Sequence, residues 1–385
     1  MWQPSVNFPS VPLPKPRFEQ IRPHAFNFAV QREELNYQVR NRGRVRTFGS
    51  GYPELAIQEA LDSLSNNRKQ KEKVKLLKNF NSIDNAIQIP DHTHFVLEGQ
   101  ITLASGEDNN ILENKDATAC DVTIEGGVLN AIDAGGSMAA IYWHQTAECG
   151  YHYRECIIKN MKIFAIDYIT PQDMAGIYID PSGGLTEYPI IPQLHNIVSY
   201  GHHYGAYLNC TDSIFSNLLL HAPLAPYSGA ALYMYGGAAN NFENIRCDGR
   251  LYCYATQISN FNTITVDVWS EEMDAITLDG TQGVNINGAV LTIGSTTSTN
   301  AKAGILLKKR GTSDIRQYSI YNTVSHVYVG RRGYFTDAHR FKYGIKEDES
   351  SSYVDYNIFD DISAQDTTDG NLKQGAHSKI DNSLP

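Results

Sequence analysis

The sequence predicts an all-β fold, in which one elongated coil of short strands follows a helix and an extended arm. Seven-residue segments match column by column along the chain, and each starts with a large apolar residue: Ile158, Leu194, Phe215, Phe242, Phe261 and Ile286. The segments keep a constant core while their spacing varies, which is typical of a solenoid with loops of different length inserted at one bend. From about residue 83, short β-rich runs cut by Gly, Asn and Asp continue without a helical period.

The chain before the repeats divides into two parts. Residues 1–48 are rich in proline and then in arginine, so we predict an extended arm that is ordered only against another surface. Residues 49–82 contain an amphipathic helix, because Ile57, Ala60, Leu61 and Leu64 follow the helical spacing, and a basic loop comes next. Residues 83–385 form the predicted coil.

The columns of the repeat have separate structural roles. The third column is mostly Asn, which tolerates a left-handed bend and can stack its amides from coil to coil: Asn160, Asn196, Asn217, Asn244, Thr263 and Gly288. The fourth and sixth columns are mostly apolar and should face inward, so the fifth and seventh should point outward. A second class of strand, exemplified by 176–179 and 205–208, lies between the repeats and gives two or three strands per coil.

Three stretches of the sequence resemble the opening of a known family. They are TFGSGYPELAIQEALDSL, IQIPDHTHFVLEGQITLASG and NILENKDATACDVTIEGGVLNA, and they are similar to the capping helix and first coils of right-handed parallel β-helix proteins of the pectin-lyase-like superfamily. The resemblance covers about residues 47–382. It implies a single right-handed parallel β-helix, in a family that includes polysaccharide lyases, hydrolases, phage tailspikes and non-catalytic coils.

The seventh column carries titratable and aromatic side chains on one outward face. Its members are Phe164, Tyr200, His221, Asp248, Asp267 and Thr292. When two carboxyl groups lie close together, the pKa of one rises while the other group stays ionised. A glycosidase requires such a pair, one as the acid and the other as the nucleophile or base. We therefore predict Asp248 and Asp267, with His221, as catalytic residues. Two alternatives stay open: both aspartates serve turns, or a carboxylate pair with Asp274 or Asp279 holds Ca²⁺.

A set of tyrosines and acidic residues surrounds that column in the sequence and is predicted to bind substrate. Tyrosine combines an aromatic face with a hydrogen-bonding tip and therefore suits sugar rings, although tyrosine on a sheet also serves packing. The predicted substrate-binding residues are Tyr200, Tyr207, Tyr233, Tyr252, Glu271, Asp274 and Asp279.

Composition narrows the class of protein further. The chain has 32 Lys+Arg against 42 Asp+Glu and a net charge of -10, which argues against nucleic acid as the main partner. No apolar run is long enough to span a bilayer, and the first residues lack a secretory signal pattern. The protein is thus expected to be made in the cytoplasm.

The 6 cysteines are interpreted as buried thiols, with Cys149–Cys156 and Cys247–Cys253 as alternative pairs. No nucleotide cofactor or zinc site is implied.

These observations support two hypotheses for function. The first is a β-helix that binds a polysaccharide or cell-surface glycan, with cleavage by hydrolysis or lyase chemistry left open. The missing secretion signal favours a virion-associated protein released by lysis, with the arm as its attachment or oligomer contact. The second is a non-catalytic structural coil of a viral or cellular assembly. A homo-oligomer is expected, and the resemblance to tailspikes implies a trimer.

Overall fold

The computed structural model shows a parallel β-helix preceded by three antiparallel strands and a helix. It describes residues 28–33, 36–41, 44–49, 53–116, 119, 121–132, 134–135, 138–145, 155–166, 174–181, 191–222, 229–269, 273–293, 301–309, 318–331, 340–348, 354–364, 367, 372–373 and 377–381. Among them, no helix has the length and apolar character needed to cross a bilayer.

The first elements close the start of the coil. They are β1 (Phe28–Glu33), β2 (Asn36–Asn41), β3 (Arg44–Gly49) and α1 (Pro53–Asp62). Strands β1 and β2 and all but the last residue of β3 fall within the predicted arm, yet the three strands form an antiparallel meander, and β1 is paired with the coil through Phe28 opposite Val74. The arm before Phe28 lies outside the described residues. Helix α1 buries Ile57, Ala60 and Leu61 against the first coil, because these residues share one helical face.

The early coils have three short strands each. They are β4 (Glu72–Leu76), β5 (Phe80–Ile83), β6 (Ile87–Ile89), β7 (Thr93–Leu97), β8 (Gln100–Leu103), β9 (Leu112–Asn114), β10 (Val122–Glu125), β11 (Val128–Asn130) and β12 (Ala139–Gln145).

In the later coils the first two strands join into one long bent strand. The remaining strands are β13 (Glu155–Ala165), β14 (Ala175–Pro181), β15 (Ile191–Gly201), β16 (Tyr204–Leu208), β17 (Ile214–His221), β18 (Ala230–Tyr235), β19 (Asn241–Asp248), β20 (Leu251–Tyr254), β21 (Asn260–Val268), β22 (Ile276–Asp279), β23 (Asn285–Ile293), β24 (Ala301–Lys308), β25 (Ser319–Ile320), β26 (Thr323–Arg331), β27 (Phe341–Glu347), β28 (Val354–Asp355), β29 (Ile358–Ser363), β30 (Leu372–Lys373) and β31 (Lys379–Asp381).

Two sheets run the length of the coil. Sheet A has 18 strands and contains the long bent strands, whereas sheet B has 11 strands in the order β6-β9-β12-β14-β16-β18-β20-β22-β24-β27-β30. Within the coil, neighbouring strands of each sheet come from successive coils and are paired in parallel. Equivalent residues of successive coils therefore lie side by side. Each coil therefore adds a rise of about 4.8 Å.

The bend inside each long strand confirms the role predicted for the third column. Asn160, Asn196, Asn217 and Asn244 have φ angles of 58°, 54°, 54° and 55°. Their amides form a ladder, in which the Nδ2 atoms of Asn196, Asn217 and Asn244 donate to the preceding Oδ1 over 3.0, 2.9 and 2.7 Å. The asparagines thus both make the turn and join the coils.

The interior contains the columns that the sequence predicted to face inward. Phe215, Phe242 and Phe261 of the first column stack with centroid distances of 4.4 and 4.3 Å, and all three are fully buried. Of the cysteines in the described part of the chain, Cys247 and Cys253 are buried free thiols rather than a pair, as are Cys156 and Cys210.

The corner between sheet A and sheet B varies in length from coil to coil. Only two residues separate β15 from β16 and β19 from β20, whereas eight separate β17 from β18. The bend inside the long strands of sheet A, from β13 onward, is a single residue with a positive φ. In these coils the variation in length is therefore greater at the sheet A to sheet B corner than at the bend.

Candidate functional site

The predicted site residues lie on two different faces. Tyr200, His221, Asp248 and Asp267 are on successive strands of sheet A, in register. Tyr207, Tyr233 and Tyr252 are on successive strands of sheet B, with Asp279 on the next strand. Asp274 precedes β22, and Glu271 is outside the described residues. The sequence placed all of these residues around one site, and the structure separates them by sheet.

The seventh column forms a continuous ladder on the outside of sheet A. The ring of Tyr200 stacks on that of Phe164 at 5.1 Å and on that of His221 at 4.0 Å, with an interplanar angle of 3° in the second pair. His221 Nδ1 lies 2.8 Å from Asp248 Oδ2, and Arg246 Nε lies 3.3 Å from the other oxygen of Asp248. His221 is thus held on one side by a ring and on another by a carboxylate.

The two carboxyls of this column have different surroundings. Burial alone would raise the pKa of Asp248, but the hydrogen bond and charge of His221, together with Arg246, hold that pKa below its usual value. Asp248 is therefore ionised at neutral pH. Asp267 is only 3% exposed, and its Oδ1 accepts a hydrogen bond from Thr292 Oγ1 at 3.1 Å. His221 Nε2 is buried and has no hydrogen-bond partner in the described part of the chain.

Sheet B carries a column of tyrosines on its outward face. Five consecutive strands place them in register: Tyr142, Tyr178, Tyr207, Tyr233 and Tyr252. Their rings follow one another with centroid distances of 5.7, 4.2, 5.3 and 5.0 Å, and the last three pairs are nearly parallel. We call this set the tyrosine column.

Ring stacking within the tyrosine column changes what it offers to a ligand. The sequence predicted that tyrosine faces would stack on sugar rings. In-register parallel strands instead bring each ring against its neighbour, so that the faces inside the column are covered. Four of the five rings stay partly exposed, whereas Tyr207 is only 8% exposed. Burial is the main cause that raises the pKa of Tyr178, Tyr207 and Tyr233, so their hydroxyls stay protonated and can both donate and accept hydrogen bonds.

Charged residues surround the last ring of the column. Tyr252 donates its hydroxyl proton to Asp279 Oδ2 over 2.5 Å, and Lys308 Nζ lies 3.2 Å from the same oxygen. The Arg250 guanidinium lies 4.8 Å and Lys308 Nζ 5.2 Å from the centroid of the Tyr252 ring. This end of the column is therefore built from cation–π contacts and an ion pair.

Asp180 is the notable carboxyl beside the tyrosines. It lies two residues after Tyr178 on the same strand and accepts a hydrogen bond from Asn209 Nδ2 at 2.9 Å. Burial raises the pKa of Asp180, and the opposing effects of Asn209 and His144 do not cancel that rise. A carboxyl with this property can hold and release a proton closer to neutral pH than an ordinary aspartate.

A cavity opens beside the first half of the tyrosine column. Its volume is about 340 Å³. Apolar side chains, aromatic rings and a few polar groups line it: Asn110, Met138, Ala139, Tyr142, Ala175, Tyr178, His203 and Tyr204. The ring of Tyr204 also packs edge-on against Tyr207 and Tyr233, at 5.3 and 5.4 Å. The cavity and the column therefore form one continuous surface.

The acidic residues predicted around this face have protein partners. Asp274 Oδ1 accepts a hydrogen bond from the backbone N–H of Ala303 at 2.8 Å, and Asp279 is held by Tyr252 and Lys308. Within the described ranges, no group of three or more His, Cys, Asp or Glu side chains is arranged to hold a metal ion. Calcium binding by Asp274 or Asp279 stays a prediction.

Several residues of this face were missed from the sequence. Tyr142 and Tyr178 occupy the column of Tyr207, and aligning AIYW, GIYI and GAYL would have found both. Asp180 begins the run Asp-Pro-Ser-Gly-Gly, whose composition is typical of a turn and gives no sign of a buried carboxyl. Arg250 and His203 come from corners of variable length, where no column exists to align them.

Comparison with solved structures identifies the architecture. The chain is similar to the A-modules of two mannuronan C-5 epimerases from Azotobacter vinelandii. For AlgE6 the TM-score is 0.55 at 12% identity, covering 86% of this chain and 95% of that module. For AlgE4 the TM-score is 0.54 at 12% identity, covering 86% and 97%. The fold is the right-handed parallel β-helix.

More distant similarity extends to a phage protein. Tailspike protein 3 of bacteriophage CBA120 matches with a TM-score of 0.41 at 10% identity, over 91% of this chain and 66% of the tailspike. No protein-family model and no curated protein matches the sequence. The pectin-lyase-like fold predicted from the opening of the coil is confirmed.

Proposed function

We propose that this protein binds an extended polysaccharide along the tyrosine column of sheet B. The observation that carries the proposal is the column itself, with five hydroxyl-bearing rings on consecutive coils and a cavity beside them. The rise of about 4.8 Å per coil is close to the length of one pyranose unit. A glycan lying along the helix axis would thus meet one tyrosine of the column per sugar, except at the buried Tyr207.

The cavity gives this surface depth. At about 340 Å³ it is within the lower range of small-ligand pockets. The edges of Tyr142, Tyr178 and Tyr204 suit the apolar side of a sugar, while Asn110 and His203 supply polar contacts. The epimerase modules with the same fold act on mannuronan by name, which supports a polysaccharide as the ligand class.

Asp180 is the group that we assign to proton transfer, if the bound glycan is also processed. It lies next to Tyr178 in the column, and its raised pKa keeps a proton available. Conversion of the polymer by hydrolysis or by elimination would each require such a donor or acceptor. Association of the protein with a virion remains part of the proposal, together with an outer glycan as its natural partner.

The seventh column is a second candidate for chemistry. Asp248 holds His221 through Nδ1, Asp267 is adjacent in register, and the buried Nε2 of His221 has no hydrogen-bond partner in the described part of the chain. This arrangement favours glycosidic cleavage at sheet A, as predicted from the sequence for Asp248, Asp267 and His221. The competing proposal is a structural coil without a ligand.

Binding tests separate these possibilities. The full chain is titrated with a panel of neutral and acidic polysaccharides, and the polymer that binds is measured again with Tyr178→Phe and Tyr233→Phe. Each substitution removes only a hydroxyl, so we expect a loss of affinity of about tenfold with unchanged folding. Tyr328→Phe, on sheet A, is the matched control and should bind normally. Unchanged binding by both column variants would refute the tyrosine column as the site.

Product analysis then assigns the chemistry. With the polymer that binds, turnover should fall by about 10²-fold or more for Asp180→Asn while binding persists. If instead Asp248→Ala and Asp267→Ala abolish turnover and Asp180→Asn does not, the seventh column is the active site. Absence of any bound polymer would favour the structural coil.

A further inference from the structure

A serine and a histidine on sheet A lie together in a way that glycan binding on sheet B does not explain. Ser216 is on β17 and His195 is on β15, and the two residues are paired in register. The Oγ atom of Ser216 lies 2.7 Å from Nδ1 of His195. Both side chains are partly exposed on the outside of these strands. A hydroxyl in hydrogen-bond contact with an imidazole is the arrangement that activates serine as a nucleophile.

A third side chain sets the tautomer of the histidine. Nε2 of His195 lies 3.5 Å from Oε1 of Gln193, two residues earlier on the same strand. An amide oxygen only accepts hydrogen bonds, so in the neutral ring Nε2 carries the proton and Nδ1 accepts from the hydroxyl of Ser216. Two neighbouring strands therefore supply a nucleophile, a base and a group that orients the base.

The surroundings of His195 keep it in the form that a base needs. Burial, together with the charge of Lys159, lowers the pKa of His195, so the ring is neutral at neutral pH. Lys159 is in register with His195 on the preceding strand, and its Nζ lies 3.4 Å from Glu125 Oε2. A cation on the neighbouring strand also favours the negative charge that develops on an attacked carbonyl oxygen.

An exposed apolar side chain lies beside the serine. Ile214 is 48% exposed, precedes Ser216 by two residues on the same face of β17 and is in register with Gln193. Alternate residues of a strand are about 6.6 Å apart, a distance that a short acyl group spans between the two side chains. A methyl group resting on Ile214 would thus bring its carbonyl carbon to Oγ of Ser216.

We propose that Ser216 and His195 hydrolyse esters of short carboxylic acids through an acyl-serine intermediate. Oγ of Ser216 forms a bond to the carbonyl carbon while Nδ1 of His195 takes the hydroxyl proton. The bond from that carbon to the alcohol oxygen then breaks, and the alcohol leaves with the proton. Water attacks the acyl carbon and gives a proton to Nδ1, the bond to Oγ breaks, and Ser216 recovers the proton as the acid leaves. Each turnover consumes one ester and one water.

The same column of sheet A contains a matched control. Strand pairing continues from Ser216 through three further residues to a second serine at the same place in the coil: Glu243, Asn262, Asn287 and Ser325. Each serine directly precedes a residue with a φ of 54°, Asn217 in one case and His326 in the other. Oγ of Ser325 lies 3.3 Å from Oδ1 of Asn287, so an amide takes the place of the imidazole.

Hydrolysis of p-nitrophenyl acetate by the full chain tests the proposal. We expect Ser216→Ala and His195→Gln each to lower kcat/KM by about 10²-fold or more, whereas Ser325→Ala should stay within about twofold of the original. Urea denaturation of each variant establishes that the fold is retained. If His195→Gln loses the activity and Ser216→Ala keeps it, the imidazole acts alone and the proposal is overturned. Release of p-nitrophenolate no faster than in buffer would overturn it as well.

Gln193 is a positioning residue, and its role is tested by rescue. Gln193→Leu removes the acceptor for Nε2, so kcat should fall about tenfold with KM unchanged. Gln193→Glu restores an oxygen at that place and should return kcat to within about threefold of the original. Equal loss in both variants would overturn the arrangement in which Gln193 orients His195.

Covalent labelling identifies the nucleophile. A fluorophosphonate reagent forms a bond from phosphorus to the oxygen of an activated serine and releases fluoride. Mass spectrometry of the digested chain should find the adduct on Ser216, and labelling of Ser216 should be at least about tenfold slower in His195→Gln. An adduct that forms on Ser325 as fast as on Ser216, or no adduct on Ser216, would overturn the proposal.

Discussion

The aromatic ladder inside the coil and the tyrosine column outside it arise from the same parallel register. Phe215, Phe242 and Phe261 stack at the spacing of the coils, and so do Tyr207 and Tyr233. The rings of the inner ladder are fully buried in the core. The outer one keeps four partly exposed tyrosines and a cavity toward solvent. Ring stacking is thus a consequence of the fold, and only the polar groups left at the edge indicate a function.

Truncation in the inner ladder should have the largest effect. Phe242→Ala removes a ring from between two others and leaves a cavity, so we expect a loss of about 3–5 kcal/mol in the free energy of unfolding. Tyr233→Phe, the outer counterpart, should change it by about 0.5 kcal/mol or less. Urea denaturation measures both. Equal losses would show that the outer column is as structural as the inner one.

A smaller effect is expected at the asparagine bend. Asn217 donates to Asn196 and accepts from Asn244, at a φ of 54°. Asn217→Ala loses both hydrogen bonds and leaves alanine in a left-handed conformation, which should cost about 2 kcal/mol. Asn217→Gly also loses both hydrogen bonds, but glycine adopts the left-handed conformation without strain. Its loss in the free energy of unfolding should therefore be lower than that of Asn217→Ala by about 1 kcal/mol. If both variants cost the same, the bend contributes no strain.

The charged end of the tyrosine column should contribute modestly to stability. Tyr252→Phe removes the donor to Asp279, whose Oδ1 already lacks a hydrogen-bond partner in the described part of the chain. A cost of about 1 kcal/mol in the free energy of unfolding is expected. Tyr233→Phe is the control, because its hydroxyl is not bound to a carboxylate in the same way. A neutral Tyr252→Phe would mean that Lys308 alone holds Asp279.

The smallest effect is a difference in pH dependence between the two outward faces. The folded-state pKa of Asp248 is lowered, so its stabilising contribution is present above about pH 4 and is lost as pH falls through that lower pKa. The folded-state pKa of Asp180 is raised, so its ionised form destabilises the fold at neutral pH and protonation removes that cost.

Asparagine substitutions make this contrast measurable. Between pH 7 and pH 3, Asp248→Asn should be more harmful at the higher pH. Asp180→Asn should stabilise the fold most at the higher pH, and this gain in stability should disappear in acid. Unfolding midpoints in denaturant, recorded at several pH values, follow both. If the effects of the two substitutions on the unfolding midpoint changed with pH in the same direction, the pKa values of Asp248 and Asp180 would not be shifted in opposite directions.

The register of sheet A follows residue by residue from the amino-acid pattern. An apolar first column, a bend at the third and paired inward positions constrain a strand strongly, so Phe215, Phe242 and Phe261 align by sequence alone and are paired in that register. Sheet B was harder to predict, since its strands are shorter, and Tyr142 and Tyr178 were not predicted as neighbours of Tyr207.

Other features had no sequence signal that elementary rules recognise. Tyr321 and Ile258 occupy a left-handed corner where Gly or Asn is expected, so the sequence did not predict their backbone conformation. The covering of tyrosine faces by their neighbours depends on ring orientation, which composition does not report. The rise in the pKa of Asp180 depends on burial by neighbouring coils that are distant in sequence.

The corner between sheet A and sheet B determines how such a protein can change over generations. Its length differs from coil to coil, while the bend inside the long strands from β13 onward has one residue. Doubling a loop costs only about 0.6 kcal/mol of closure entropy. New segments can therefore enter at this corner beside the tyrosine column without disturbing the pairing of a single strand. Ligand preference can diversify there while the scaffold stays the same.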